Sequence, residues 1–240
     1  MTLSIIIPAF DEARKIQHDV HAAAAFLLAY DLAGEVIVVD DGSSDGTADA
    51  AGACAVPPGV DKTIITGNGH RGKGFAVRTG ILASRGEYVL FADSGTTVPF
   101  QNALGGMQLL RARQCDLAHG SRRLPGSTIV RGQDWDRKFI SRVFQWIVVR
   151  WMHLPTHLTD TQCGFKIYRG ESARMLYADC ITDGFMFDIE VILRAQQKGL
   201  RILEFPVEWT CDRDSRIGFR NSPPVLRELS ILRRTLFRRS

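Results

Sequence analysis

Two adjacent carboxylates, Asp40 and Asp41, stand directly after an apolar run and before the polar turn Gly42–Thr47. Carboxylates do not cradle phosphate, so the pair is suited to accepting hydrogen bonds from a base or a ribose, or to holding a cation. A turn rich in Asp, Ser and Gly can instead do no more than cap the helix that follows it. The residues alone do not distinguish a ligand-binding site from a helix-capping turn.

A second polar segment, Asn68–Gly80, combines glycines with basic side chains. Glycine lets the backbone come close to a ligand, and Lys73 at the start of a helix can meet a phosphate group. The glycines could also form an ordinary loop. The neighbouring Arg71 and Arg78 favour an anionic ligand.

A third acidic residue, Asp93, ends an apolar run and precedes Ser94, Gly95 and two threonines. By its position alone it could simply terminate the strand.

The three groups follow segments that we expect to be strands, because short apolar runs alternate with helical patterns over the first half of the sequence. The predicted strands are Leu3–Ala9, Glu35–Asp40, Thr63–Thr66 and Tyr88–Asp93. This alternation predicts an α/β fold with a mostly parallel sheet flanked by helices, in which ligands bind beyond the carboxyl ends of the strands. Three polar clusters fall at that edge: Pro8–Glu12, Asp40–Thr47 and Asp93–Thr97.

The second half of the sequence is less regular. We predict strands at Gly164–Tyr168 and Arg201–Val207, and helices at Asp188–Gln197 and Pro224–Phe237. Gly120–Gly132, which contains Gly and Pro, is predicted to be a mobile loop. The segment Phe139–Leu154 is predicted to be a strongly apolar helix with basic edges.

The composition, with 45% hydrophobic and 23% charged residues in a chain of 240, is that of a compact globular protein. We predict one large domain at 1–210, followed at 211–240 by a basic C-terminal tail with an amphipathic helix. The five cysteines are odd in number and show no CxxC spacing. They therefore argue against a disulfide framework or a zinc site, and favour a reducing compartment.

The net charge of +4 is unevenly distributed, because Arg213–Arg239 contains eight arginines against only Asp214 and Glu228. This end of the chain is suited to an anionic neighbour. No stretch of about 18 apolar residues occurs, so we predict that no helix crosses a membrane.

The segments IIIPAFDE and VVDDGSSDGT resemble the opening of the family 2 glycosyltransferases, which are inverting enzymes with a GT-A type (Rossmann-like) nucleotide-sugar fold. The resemblance implies that Pro8, Glu12 and Asp41 line the nucleotide pocket, with Asp41 contacting the base. The chain resembles dolichyl-phosphate glucosyl- and mannosyltransferases, and Asn68–Gly80 is similar to the basic glycine-rich loop of the glucosyltransferase branch. The resemblance thus implies UDP-glucose as donor and places Lys73 against phosphate.

The family usually has a DxD motif whose two carboxylates hold a divalent cation on the diphosphate. Asp93 matches the first of them, whereas Gly95 stands where the second is expected. One or two carboxylates with phosphate and water often suffice for magnesium. The resemblance therefore implies Mg²⁺ or Mn²⁺ as cofactor, with Asp93 as ligand and with a weaker metal dependence left open.

Further motifs resemble the acceptor side of the family. Gly120-Ser121-Arg122 matches its glycine-serine-arginine motif, and Arg137 with Ser141 has its Arg-xxx-Ser spacing. Residues four apart share one face of a helix, so Arg137 and Ser141 could grip one phosphate together. The segments DTQCGFK at 160–166 and FDIE at 187–190 are also similar to family motifs. Asp188 and Glu190, two apart on a helix, are expected to point in different directions.

The activity implied is transfer of a hexose onto a polyprenyl phosphate at a membrane surface, with inversion. The acceptor phosphate is already mostly ionised near neutrality, so no general base is required. Arg122 and Arg137 would hold the acceptor, while Asp93 with a metal, aided by Lys73, would stabilise the leaving group.

Other functions remain open at this point. They are transfer of mannose from GDP-mannose, a nucleotidyltransferase, and a sugar-nucleotide binder without catalysis. We also expect peripheral attachment to the cytoplasmic side of a membrane through Phe139–Leu154 and the arginine-rich tail, although an apolar helix is more often core or a dimer contact. A homo-oligomer is left open, and no nucleic-acid partner is expected.

Overall fold

The structure, a computed structural model, describes residues 1–131, 148–211 and 222–237. The strands are β1 (Leu3–Ala9), β2 (Gly34–Asp40), β3 (Val60–Thr66), β4 (Tyr88–Ala92), β5 (Leu117–Ser121), β6 (Thr128–Arg131), β7 (Phe165–Arg169), β8 (Ile202–Pro206) and β9 (Glu208–Thr210). The α-helices are α1 (Ile16–Ala29), α2 (Thr47–Ala53), α3 (Lys73–Ala83), α4 (Ala103–Arg111), α5 (Gly170–Ala178), α6 (Phe187–Gln197) and α7 (Ser222–Phe237). A short 3-10 helix, Phe100–Asn102, precedes α4, and residues 148–151 are helical.

Seven strands form one sheet in the order β3-β2-β1-β4-β7-β5-β8. Its pairs are parallel except that β7 runs antiparallel to both of its neighbours, β4 and β5. A second, two-stranded sheet pairs β6 with β9 in parallel. The prediction of a mostly parallel sheet flanked by helices is confirmed.

The central strands are buried on both faces, as parallel strands covered by helices must be. All seven residues of β1 are buried, and successive isoleucines alternate between the two layers. Ile5 and Ile7 pack with α1 and α4, whereas Ile6 packs with α3, α5 and α6. Because Ala9 lies beside Asp40 in the register, β1 and β2 end level with each other at the edge that carries the polar residues.

Helix α7 packs on the second of these layers. Leu229 and Leu232 are fully buried there, and Met186 N donates to Glu228 Oε2 at 3.1 Å. The C-terminal helix therefore contacts the same core as the rest of the chain. The division into 1–210 and 211–240 stays a prediction.

Two sequence predictions need correction. Gly120–Gly132 is not a loop throughout, because residues 120 and 121 end β5 and residues 128–131 form β6. The β-branched run at Thr128–Val130 pairs with β9, which the Gly and Pro content of the segment concealed. Strand β5 was not predicted because its sequence, LAHGS, is half polar although all five residues are buried.

Most of the apolar segment Phe139–Leu154 lies outside the described residues, including Trp146. At its described end, Val148, Met152 and Leu154 are buried in the core beside α6 and α7. This end packs inside the protein, which agrees with the core interpretation.

Candidate functional site

The polar edge of the sheet is assembled from the turns that follow β1, β2 and β4. Asp41 N donates to Ala9 O at 2.9 Å, and Glu12 N donates to Thr47 Oγ1 at 2.8 Å. These bonds join the first two turns. Pro8 is buried within β1, and Glu12 lies 3.7 Å from Lys15 in an ion pair.

The Asp41 carboxylate is buried and holds the glycine-rich loop in place. It accepts the backbone N–H groups of Arg71 at 3.1 Å and Gly72 at 2.7 Å, and His70 Nδ1 lies 2.8 Å from Oδ2. Asp40 instead accepts hydrogen bonds from Ser43 in its own turn. Asp40 therefore stabilises the turn that follows β2, whereas Asp41 holds the glycine-rich loop in place.

The loop also packs tightly against residues 182–184. Gly72 has φ 126°, and a Cβ there would lie 2.5 Å from Asp183 O. The Asp183 carboxylate lies 2.8 Å from Arg71 and 2.5 Å from Arg78, and the Arg71 guanidinium stacks on Phe75. Among the described residues, the anion that these two arginines meet is therefore an internal carboxylate. Part of the pattern of glycines and basic residues in this loop is therefore explained by packing inside the protein.

Lys73, the first residue of α3, reaches Asp93 beyond the end of β4, with Nζ 2.6 Å from Oδ1. Burial lowers the pKa of Lys73, but the charges of Asp93 and Asp188 outweigh it and raise that pKa above its ordinary value. Lys73 is thus a fixed positive charge at this edge. Asp93 Oδ1 is buried, and the Lys73 ammonium is its charged partner.

Gly164 is required for this carboxylate to fit. Asp93 N donates to Gly164 O at 2.8 Å, and a Cβ at 164 would lie 1.9 Å from Asp93 Oδ2. The glycine of the DTQCGFK segment therefore leaves the space that Asp93 fills. The residue type at 164 follows directly from the position of the site.

The turn after Asp93 is held by a residue that the motifs did not identify, Asp19 of α1. Its carboxylate accepts Gly95 N at 2.8 Å and Thr96 Oγ1 at 2.6 Å, and both turn residues have positive φ. Burial raises the pKa of Asp19 above its ordinary value although both groups donate to it. An acid on the apolar face of a helix, next to Val20, is the signal that could have found it.

Arg122 makes a bidentate pair with Asp160, which joins the end of β5 to the DTQCGFK segment. Arg122 Nε and Nη2 donate to the two oxygens of Asp160 at 2.6 and 2.7 Å. Burial raises the pKa of Asp160, but the hydrogen bonds and charge of Arg122 outweigh it and hold that pKa below its ordinary value. Asp160 takes the Nε and Nη2 groups, so Nη1 is the remaining donor group of the Arg122 guanidinium.

Asp188 and Glu190 point apart, as their spacing on α6 predicts. Asp188 pairs with Lys166 in the interior. Glu190 accepts Ile181 N at 2.9 Å and Thr182 N at 2.8 Å, and so supports the segment on which the glycine-rich loop rests. Both acids are buried partners of other groups rather than a carboxylate pair.

Four of the eight candidate residues carry charges at this edge: Asp41, Lys73, Asp93 and Arg122, of which Lys73 contacts Asp93 directly. Arg122 follows β5, which is separated from β4 only by the antiparallel strand β7, so Arg122 and Asp93 lie at the same edge of the sheet. Arg137 and Ser141 lie outside the described residues. The edge combines one carboxylate at the end of β4 with two fixed cations, an arrangement suited to a diphosphate and a second phosphate.

A mostly parallel sheet with one reversed strand, flanked by helices, defines the class: an α/β protein with the GT-A fold. Glucosyl-3-phosphoglycerate synthase from Mycobacterium tuberculosis, solved in complex with Mn²⁺, UDP-Glc and phosphoglyceric acid, has the same fold. The TM-score is 0.69 at 16% identity, over 98% of this chain and 79% of that one.

The chain belongs to glycosyl transferase family 2, whose model matches residues 4–176. The dolichyl-phosphate beta-glucosyltransferase of Drosophila melanogaster is 32% identical over 222 residues, 88% of this chain and 67% of the relative. That of Homo sapiens is 32% identical over 219 residues, 87% of this chain and 67% of the relative. The protein is a glycosyltransferase, and the resemblance inferred from the motifs is confirmed.

Proposed function

We propose that the protein transfers glucose from UDP-glucose to a polyprenyl phosphate such as dolichyl phosphate, with inversion at the anomeric carbon. The observation that carries the proposal is the 32% identity, spread over nearly the whole chain, to relatives named for this reaction. The names of these relatives favour glucose over mannose. An edge with two fixed cations is also what a reaction between two anionic substrates requires.

In this mechanism the acceptor phosphate itself is the nucleophile. A phosphate oxygen bonds to C1 of glucose while the bond from C1 to the UDP oxygen breaks, and the electron pair leaves with UDP. The attacking oxygen is already deprotonated, so no proton has to be removed. The Nη1 group of Arg122 would hold the acceptor phosphate while Lys73 neutralises the departing diphosphate. Arg137 and Ser141 are proposed to assist Arg122.

The residues present fit a divalent cation held mainly by the donor. Within 1–131, 148–211 and 222–237 there is no group of three or more His, Cys, Asp or Glu side chains that could hold a metal. Asp93 nevertheless offers a carboxylate, which is 31% exposed and pairs with Lys73 through Oδ1. One carboxylate with substrate phosphates and water is a common magnesium site. Mg²⁺ or Mn²⁺ bound there would supply charge neutralisation for the diphosphate.

Donor identity is tested by thermal unfolding with UDP, UDP-glucose, GDP and GDP-mannose. A ligand at 100 times its Kd stabilises the folded state by about 2.7 kcal/mol. For a chain of this size the expected rise in Tm is roughly 5 to 10 °C. We expect that rise with the uridine ligands and a smaller one with the guanosine ligands. Equal or reversed shifts would contradict the assignment of UDP-glucose, and formation of glucosylated polyprenyl phosphate tests the acceptor.

Membrane attachment is proposed to use the outer face of α7. No helix within the described ranges is long and apolar enough to cross a bilayer. Leu226 and Ile231 are exposed on α7, and Arg227 and Arg234 are exposed beside them. Apolar side chains flanked by arginines suit the interface of an anionic membrane. Arg216, Arg220, Arg238 and Arg239 of the predicted tail lie outside the described residues.

The double variant Arg227→Glu/Arg234→Glu is expected to bind anionic liposomes at least roughly 30-fold more weakly, because each basic residue near the surface contributes about 1 kcal/mol. The measurement is liposome sedimentation with anionic and neutral lipids at low and high salt. A matched control is Arg14→Glu/Arg111→Glu, since both arginines are exposed elsewhere on the protein. Equal sedimentation of the two variants would refute a specific role for α7.

A further inference from the structure

His70 makes two contacts at the edge of the sheet, one with the ring of Phe10 and one with the carboxylate of Asp41. Its ring stacks on Phe10, with centroids 3.9 Å apart and planes inclined by 27°. Its Nδ1 lies 2.8 Å from Asp41 Oδ2. The histidine side chain is 54% exposed and Asp41 is only 3% exposed. An exposed ring therefore covers a buried carboxylate.

These contacts are those that a uracil base would make. A carboxylate only accepts hydrogen bonds, so Nδ1 is assigned as an N–H donor to Asp41. Uracil is likewise a flat ring with a ring N–H between two carbonyls. It could stack on Phe10 and donate to the same oxygen. The ring nitrogen of cytosine at that place is an acceptor and would oppose Asp41.

The location agrees with the path of a nucleoside diphosphate. Asp41 follows β2 and Asp93 follows β4, and β1 lies between these strands. Two strand spacings separate them, about 10 Å. A base at Asp41 therefore leaves its diphosphate within reach of Lys73 and Asp93.

Of the groups around Asp41, the imidazole is the one that can leave. The other donors are the backbone N–H groups of Arg71 and Gly72. That part of the loop is held by the Arg71–Asp183 ion pair and by the close packing of Gly72 on residue 183. The exposed His70 side chain needs only a rotation towards solvent.

We propose that His70 is a placeholder for the nucleobase: it occupies the base position when no nucleotide is bound, and the uracil ring of the donor displaces it. This inference rests on the proposed function and adds to it a residue that competes with the base for its site. His70 and the base compete for Phe10 and Asp41. The apparent Kd for a uridine nucleotide is therefore the intrinsic Kd divided by the fraction of molecules in which His70 is out of the base position. Its return would also help UDP to leave.

The test is calorimetric titration of UDP into the parent protein, His70→Ala, and His21→Ala, in which another exposed histidine is removed from α1. We expect His70→Ala to bind UDP about 3- to 10-fold more tightly, as expected when a competing state is removed. His21→Ala should match the parent. Inorganic pyrophosphate, which has no base, should bind all three proteins equally.

Weaker or unchanged UDP binding by His70→Ala would overturn the proposal, and so would an equal gain with pyrophosphate, since the effect would then not involve the base. If the parent transfers glucose from UDP-glucose under any of these outcomes, only the role of His70 is lost. Failure of the parent to bind UDP would instead refute the proposed function and, with it, the placeholder.

Discussion

Replacing Asp93 with asparagine is expected to lower kcat/KM for sugar transfer by about 1,000-fold, the range found when one preorganised electrostatic group is removed from an active site. Asparagine has nearly the same size, so the packing on Gly164 is retained while the charge is lost. The half-buried Lys73 loses its counter-charge, 2.6 Å away, and a divalent cation loses its carboxylate. Initial rates are measured over a range of UDP-glucose and Mg²⁺ concentrations.

The matched control is Asp179→Asn, because Asp179 also pairs with a lysine, Lys198 at 3.2 Å, but on the surface. It is expected to transfer sugar at the parent rate. In Asp93→Asn, the dependence of the rate on added Mg²⁺ should also weaken. Transfer by Asp93→Asn at the parent rate would remove Asp93 from the reaction and would leave Lys73 as the main charge opposite the diphosphate.

The elements predicted most accurately from the sequence are those composed mainly of apolar residues, because apolar composition indicates burial. Strand β1 is apolar except for Ser4, and its bounds match the prediction. Strand β3, at the edge of the sheet, begins three residues before the predicted Thr63, because Asp61 and Lys62 are polar and lie on an open edge. Strand β5 was missed because it buries a histidine and a serine, which no periodicity identifies as interior.

The strand pattern placed Asp41 and Asp93 at the carboxyl edge of the sheet, and the motifs singled out Lys73 and Arg122, but neither identified the partners of these residues. Their functional roles stay predictions. Their contacts join segments far apart in the chain, such as Arg122 with Asp160, and periodicity carries no information about such pairs. The same limit explains why the arginines of the glycine-rich loop were assigned to a ligand when they meet Asp183.

The variant Asp160→Asn is expected to lower the free energy of unfolding by about 2 to 3 kcal/mol. Removing one partner of a buried ion pair costs about 3–5 kcal/mol because the other charge remains. Here Asp160 is 2% exposed but Arg122 is 24% exposed, and the solvent that reaches Arg122 reduces the loss. Denaturant titration measures the change. Asp61→Asn, which removes the carboxylate of the exposed Arg85–Asp61 pair, is the matched control and should change stability by less than about 0.5 kcal/mol.

The pH dependence of the free energy of unfolding distinguishes the contribution of the Asp160 charge from that of its packing. Its pKa in the folded protein lies below the ordinary value, so its stabilisation is present above about pH 4 and is lost as the pH falls through the folded pKa. The deficit of Asp160→Asn should therefore shrink on acidification, since the parent carboxylate becomes neutral as well. Freed from Asp160, Arg122 should also hold the acceptor phosphate less firmly, which raises KM for the polyprenyl phosphate more than for UDP-glucose. A deficit that stays constant down to pH 3 would show that asparagine disturbs packing and that the charge of the Arg122–Asp160 pair contributes little.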